Sequence, residues 1–108
     1  MFAQALLVDD SRSALDFLKR LIEVDGLAQA TAFQTPLQGR TAARNHHFDI
    51  VLVDYEMPGM DGISFIRRIR EMPKFADIPV VRITSIQTYD VRLEALEAGA
   101  TAFLPKSP

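Results

Sequence analysis

Cysteine is absent from the 108-residue sequence, and with it every disulfide framework, thiolate metal site and thiol nucleophile. Stability then rests on an apolar core alone, which a domain of this length can build. Neither sign of charge dominates: 12 Lys and Arg against 14 Asp and Glu leave a formal net charge of −2. A basic nucleic-acid surface and a cationic membrane helix are both missing, so direct nucleic-acid binding by this domain is not expected. No apolar run approaches the ~20 residues that a bilayer span needs. Met1-Phe2-Ala3 offers neither the positive segment nor the long apolar stretch of a signal peptide. The expectation is a cytoplasmic protein without membrane contact. Repeats, low-complexity tracts and linkers are lacking too, so residues 1–108 are expected to form one domain. The five glycines never gather into a loop that could cradle phosphate.

What is present centres on Asp49–Gly62. Ile50–Val53 is too short for a helix and rich in β-branched residues, which predicts a strand buried on both faces. Asp54 follows at once, so a carboxylate stands at the strand's carboxyl end. Pro58-Gly59 and Asp61-Gly62 break the chain before the next helical pattern. In open parallel sheets, ligands bind beyond the carboxyl ends of the strands, and a carboxylate placed there is costly without a partner.

The same grammar repeats along the chain. Ala5–Val8 predicts a first strand ending in Asp9-Asp10, with Ser11 or Asp10 capping a helix whose Leu15, Leu18 and Ile22 share one face. Gln29–Phe33 alternates weakly as a second strand. Thr35-Pro36 opens a helix to about Asn45, which Gly39 should weaken. His46-His47 has no third ligand nearby and reads as a solvated loop. After the central strand, Ile63, Ile66 and Ile69 form one helix face, while Arg67, Arg68 and Arg70 read as a solvated face. Val80–Ile83 delivers Thr84-Ser85 to a fourth strand end. Tyr89, Leu93 and Leu96 recur as a fourth helix face, closed by Gly99, and Ala102-Phe103-Leu104 is a short fifth strand.

Strands alternating with helices predict an α/β, doubly wound, five-stranded parallel sheet of order 2-1-3-4-5, the flavodoxin-like arrangement. A dinucleotide fold is disfavoured, because Asp9-Asp10-Ser11-Arg12 would repel a pyrophosphate. The strand ends then gather Asp9, Asp10, Asp54, Thr84 and Lys106 in one crevice. Three close carboxylates cannot all stay ionised without a cation, and an oxygen-only ligand set favours a hard ion, Mg²⁺. With a hydroxyl at Thr84 and an ammonium at Lys106, this is a site for placing a phosphoryl group on Asp54.

With these residues in place, the sequence resembles the receiver (CheY-like) domain of two-component response regulators. The resemblance rests on Asp9-Asp10, on Asp54-x-x-Met57-Pro58-Gly59-x-Asp61-Gly62, on Thr84-Ser85, and on Gly99-Ala100-x-x-Phe103-Leu104-x-Lys106. It covers nearly the whole chain. It implies Asp54 as phosphoacceptor, Asp10 as a direct Mg²⁺ ligand, Asp9 as a ligand through water, and the Glu56 carbonyl as a further ligand. Thr84 and Phe103 would be the switch pair, and Lys106 would pair with the phosphoryl oxygens. The implied partners are a sensor histidine kinase or phosphotransfer protein and an output domain outside this chain. Met57–Gly62 and Asp77-Ile78-Pro79 also resemble receivers attached to HD-GYP-type cyclic-di-GMP phosphodiesterases.

The sequence departs from the family in three places. Ser107 stands where a proline usually follows the lysine, and a cis bond before a non-proline costs about 2.5–4 kcal/mol. Glu56 occupies a position thought to influence dephosphorylation. The fifth helix is absent, so the domain is expected to be truncated before its last helix, with copies pairing through the bare flank at high concentration. Two other functions compete. Asp54-x-Glu56 faintly echoes the Asp-x-Asp of haloacid dehalogenase-type phosphatases, although that motif follows a first strand. A degenerate receiver acting only as an interaction domain conflicts with the intact set of site residues.

Overall fold

The computed structural model describes residues 2–54, 62–84 and 89–105. Along the chain these form β1 (Ala3–Val8), α1 (Arg12–Glu23), β2 (Ala28–Phe33), α2 (Pro36–Asn45), β3 (Ile50–Asp54) and α3 (Gly62–Arg70). A 3₁₀ turn (Pro73–Phe75), β4 (Val80–Thr84), α4 (Tyr89–Ala98) and β5 (Ala102–Pro105) complete them. The strands make one parallel sheet in the order β2-β1-β3-β4-β5, as the alternating pattern predicted.

Strand alternation divides the core into two layers. Leu6, Val8, Val51, Val53 and Val80 face the larger one, with Ala42 and Ala43 of α2, Ile63, Phe65, Ile66 and Ile69 of α3, and Ala98 of α4. Ala5 and Leu7 face the smaller one, closed by Leu15 and Ala30, with Leu18, Ile22, Ile50 and Leu52 only partly buried. Local chemistry sets the helix ends. Ser11 Oγ accepts from the amide of Ala14 at 3.2 Å, and Thr35 Oγ1 from that of Gln38 at 3.2 Å, with Pro36 opening α2.

The structure changes or adds to four sequence expectations. Gly39 is not simply a weak point of α2. A Cβ there would meet Val8 Cγ2 at 2.6 Å and Phe65 Cε1 at 3.3 Å, so glycine lets α2 approach β1 and α3. The leucine face of α4 points outward, with Leu93 41% and Leu96 57% exposed while Ala98 is buried. Periodicity reports that a helix has an apolar face, but not which neighbour meets it. On α1 the Leu15, Leu18 and Ile22 face does turn to the sheet, yet Phe17, Leu21 and Val24 form a second apolar row that stays exposed.

The fourth change concerns Arg70. Arg67 and Arg68 are exposed, but Arg70 is a clip. Its Nε donates to the Gly99 carbonyl (2.8 Å), its Nη1 to those of Phe75 (2.6 Å) and Ile78 (2.5 Å), and its Nη2 to Thr101 Oγ1 (3.1 Å). Thr101 Oγ1 in turn accepts the Val80 amide at 3.0 Å. One planar fork thus ties α3 to the loops entering β4 and β5. Partial burial of this guanidinium lowers its pKa, opposed by Asp77. Arg70→Ala should cost roughly 2–3 kcal/mol in urea unfolding, since charge-assisted bonds to carbonyls are lost. Arg70→Lys should recover little of that, because a point charge cannot reproduce the fork. Recovery to wild-type stability by lysine would count against the clip.

At the start of β1, Asp49 Oδ2 accepts the Gln4 amide at 2.7 Å, and Asp49 Oδ1 meets His47 Nε2 at 2.9 Å. The bond from Gln4, then that from His47, holds the Asp49 carboxyl below its ordinary value of 3.8. A depressed folded-state pKa contributes stability above the unfolded value, and that stability is lost as pH falls through the folded one. Asp49→Asn should therefore flatten the decline of melting temperature below about pH 4 relative to wild type. Parallel acid limbs for the two proteins would show that Asp49 is not a contributor.

Candidate functional site

Three carboxylates meet at the carboxyl ends of β1 and β3. The parallel register pairs Val8 with Val53, so Asp9 and Asp54 each stand one residue beyond the same rung. Asp9 extends the ladder by donating its amide to the Phe33 carbonyl at 3.2 Å. Its Oδ1 accepts the Ser11 amide at 2.9 Å, which turns the chain into α1. Asp10 is exposed at that turn, and its carbonyl accepts from Gln34 Nε2 at 3.3 Å. Asp9 and Asp54 are buried, at 2% and 1% exposure. One carboxylate oxygen from each of Asp9, Asp10 and Asp54 lies within 4.8 Å of the others.

Such crowding of like charges in a half-buried site calls for a cation. All the donors are oxygens, and two come from buried carboxylates, which suits a hard divalent ion that keeps part of its water shell. The donor set therefore fits Mg²⁺. It is the only group of three ligand-type side chains found among the described residues. His46 and His47 are exposed and elsewhere, His47 being bonded to Asp49.

The remaining expected residues fall at or beyond the edge of what is described. Asp54 stands opposite Ile83, so Thr84 is one rung further along β4, opposite Pro105 of β5. Phe103 lies on β5 opposite Arg82. The side chains of Thr84 and Phe103, together with Glu56, Lys106, the Lys106–Ser107 peptide and the Pro58–Asp61 turn, lie outside the described residues. Asp54 ends the third strand of the sheet and not its first, which separates it from the phosphatase pattern.

Sequence reasoning missed one neighbour of the site and one buried charge. Gln34, just past β2, braces the Asp10 carbonyl, and it also lines a cleft of about 290 Å³ with Arg12, Leu15, Asp16 and Gln38. No local pattern marks a loop glutamine for that task. Arg82 is fully buried within β4, and a charge inside an otherwise apolar strand was the signal available for it.

A family model described as the response regulator receiver domain matches residues 5–108. The cyclic di-GMP phosphodiesterase response regulator RpfG of Xanthomonas campestris pv. campestris is 39% identical over 94% of this chain, a match that spans 27% of RpfG. The response regulator PleD of Caulobacter vibrioides is 37% identical over 98% of the chain and 23% of PleD. This chain therefore spans about a quarter of the length of these relatives. Among solved structures, the Vibrio cholerae chemotaxis protein CheY4 superposes with a TM-score of 0.95, covering 100% of this chain and 89% of that one at 24% identity. A receiver domain from Clostridium thermocellum gives 0.86 at 27% identity, covering 99% and 84%.

Proposed function

Because the chain belongs to the response regulator receiver domain family, we propose that it is switched by phosphorylation of Asp54. The observation that carries this reading is the meeting of Asp9, Asp10 and Asp54 at the strand ends, with Asp54 buried at the tip of β3. The donor is a phosphohistidine on a sensor kinase or phosphotransfer protein. An Asp54 carboxylate oxygen attacks phosphorus in line as the P–N bond breaks, and the imidazole leaves with the bonding pair and takes up a proton. Asp9, Asp10, Asp54 and the Glu56 carbonyl would hold Mg²⁺, which when bound neutralises charge on the transferring phosphoryl oxygens. Lys106 pairs with the same oxygens. Thr84 turns its hydroxyl towards the new phosphoryl group, and Phe103 follows inward. Water later hydrolyses the acyl phosphate within the same site.

The short span of the match within RpfG and PleD supports an output domain elsewhere in the protein. RpfG, a cyclic di-GMP phosphodiesterase response regulator, favours a phosphodiesterase of the HD-GYP kind as that output. No described helix is long and apolar enough to cross a membrane, and a phosphohistidine donor supports a cytoplasmic setting.

Acetyl phosphate with Mg²⁺ should label the wild type to one phosphoryl group per chain, read by intact mass. Asp54→Asn should take none, and Asp10→Ala should lose at least tenfold in labelling rate, about 1.4 kcal/mol of barrier. Undiminished labelling of Asp54→Asn would end this reading.

We also propose that the exposed row Phe17, Leu21 and Val24, with the half-covered Ile50 and Leu52, is the seat of a fifth helix. One amphipathic helix needs about 15 residues. A chain lengthened by that much should melt higher than residues 1–108, which in turn should self-associate at millimolar concentration, since exposed apolar surface of that size invites association. Equal melting points and a monomeric short chain would remove the helix from the proposal.

A further inference from the structure

The formal net charge of the chain is −2, yet α2 and α3 carry five arginines and no acidic residue. Four of the five have a local account. Arg70 is the clip described above, and Arg44, Arg67 and Arg68 stand in last turns, where a cation complements the helix dipole. Arg40 has no such account. It stands in the middle of α2 and is partly buried, with its Nε shut off from water and without a hydrogen-bond partner. Burying a donor without an acceptor is unfavourable. Arg44 lies one turn further on, and like charges at that spacing repel along a helix.

Arg40 and Arg44 share a cleft of about 360 Å³ with Arg68 of α3, Glu71 and Met72. Arg68 Nη1 approaches Glu71 Oε1 only to 3.9 Å, and both side chains are more than half exposed, so that pair is weak. Three positive charges therefore line the cleft against one negative charge. Met72 packs against the larger core and gives the cleft an apolar wall. The cleft is separate from the carboxylates. Crossover helices run back against parallel strands, so the last turns of α2 and α3 lie at the amino end of the sheet, away from Asp54.

We propose that Arg40, Arg44 and Arg68 form a binding site for the phosphate group of a small phosphorylated ligand, distinct from the phosphoacceptor site. An anion seated between them supplies the acceptor that Arg40 Nε lacks and relieves the repulsion along α2. A guanidinium fork matches phosphate and carboxylate alike, and the charges decide between the two. Above its second pKa of about 6, a phosphate monoester carries two negative charges and three acceptor oxygens on one centre. That balances the lining, whereas a single carboxylate leaves it positive. The volume falls at the lower end of the ~300–1,000 Å³ of small-ligand pockets, which favours a small ester.

Glycerol 3-phosphate is the probe, titrated without Mg²⁺ so that the carboxylates at the other end of the sheet repel it. The readout is the arginine Nε–H signals in nitrogen–proton NMR, each assigned by its loss in the matching glutamine variant. In the wild type the Arg40, Arg44 and Arg68 signals should shift saturably. Glycerol, and succinate at matched ionic strength, should leave them in place. Arg40→Gln and Arg68→Gln should each weaken binding roughly tenfold, since a charge-assisted bond is lost, and Glu71→Gln should tighten it. Arg40→Gln should also melt no lower than wild type, because it removes a repulsion. Absence of a saturable shift in the wild type would overturn the site, and a comparable response to succinate would overturn its assignment to phosphate. Undiminished affinity in either glutamine variant would equally overturn the proposal. Should Arg40→Gln melt lower, the exposed Arg68 decides: a roughly tenfold loss in Arg68→Gln supports the cleft as the site, and wild-type affinity removes it.

Discussion

Parallel pairing of β1 with β3 sets Val8 opposite Val53, and the chemistry of the site depends on that rung. One residue further on, two strands that share a core each deliver a carboxylate to the same point, and Asp10 adds a third from the turn. Like charges so placed oppose folding unless something positive joins them. The apolar residues behind them, Leu6, Val8, Val51 and Val53, are essentially inaccessible to water. The burial of those strands holds the carboxylates together as a group that could hold a metal ion.

The opposite end of the sheet shows the reverse arrangement. There a single guanidinium, Arg70, gathers carbonyls from the loops that lead into β4 and β5. Its bonds fix the entry of both strands, whose far ends carry Thr84 and Pro105. The two layers are likewise unequal. Among the described residues, α2, α3 and α4 contribute to the face that holds Val53 and Val80, and α1 to the face that holds Ala5 and Leu7.

Much of this was legible without coordinates. Short β-branched runs ending in aspartate, separated by amphipathic stretches with caps at Ser11 and Thr35, specify strands, helices and their alternation, and right-handed crossovers then leave few sheet orders. The parts that were not legible share one cause, which is that local pattern carries no information about partners. The Tyr89, Leu93 and Leu96 row is a sound apolar face, but Leu93 and Leu96 look outward. Gly39 reads as a weak helix residue until Val8 and Phe65 are found against it. Arg70 looks like its neighbours Arg67 and Arg68 until the carbonyls of Phe75, Ile78 and Gly99 converge on it.

The order of chemistry-bearing residues along the chain, each placed just after an apolar run, determined that carboxylates would collect at one end of a parallel sheet. That follows from alternation and chain direction, which are local properties. Tertiary structure decided which residues became neighbours across strands. It set Asp9 level with Asp54, put Arg82 between Val53 and Phe103, and braced Asp10 with Gln34. Register is a property of two segments at once, fixed by how their buried faces pack, and so neither segment contains it alone.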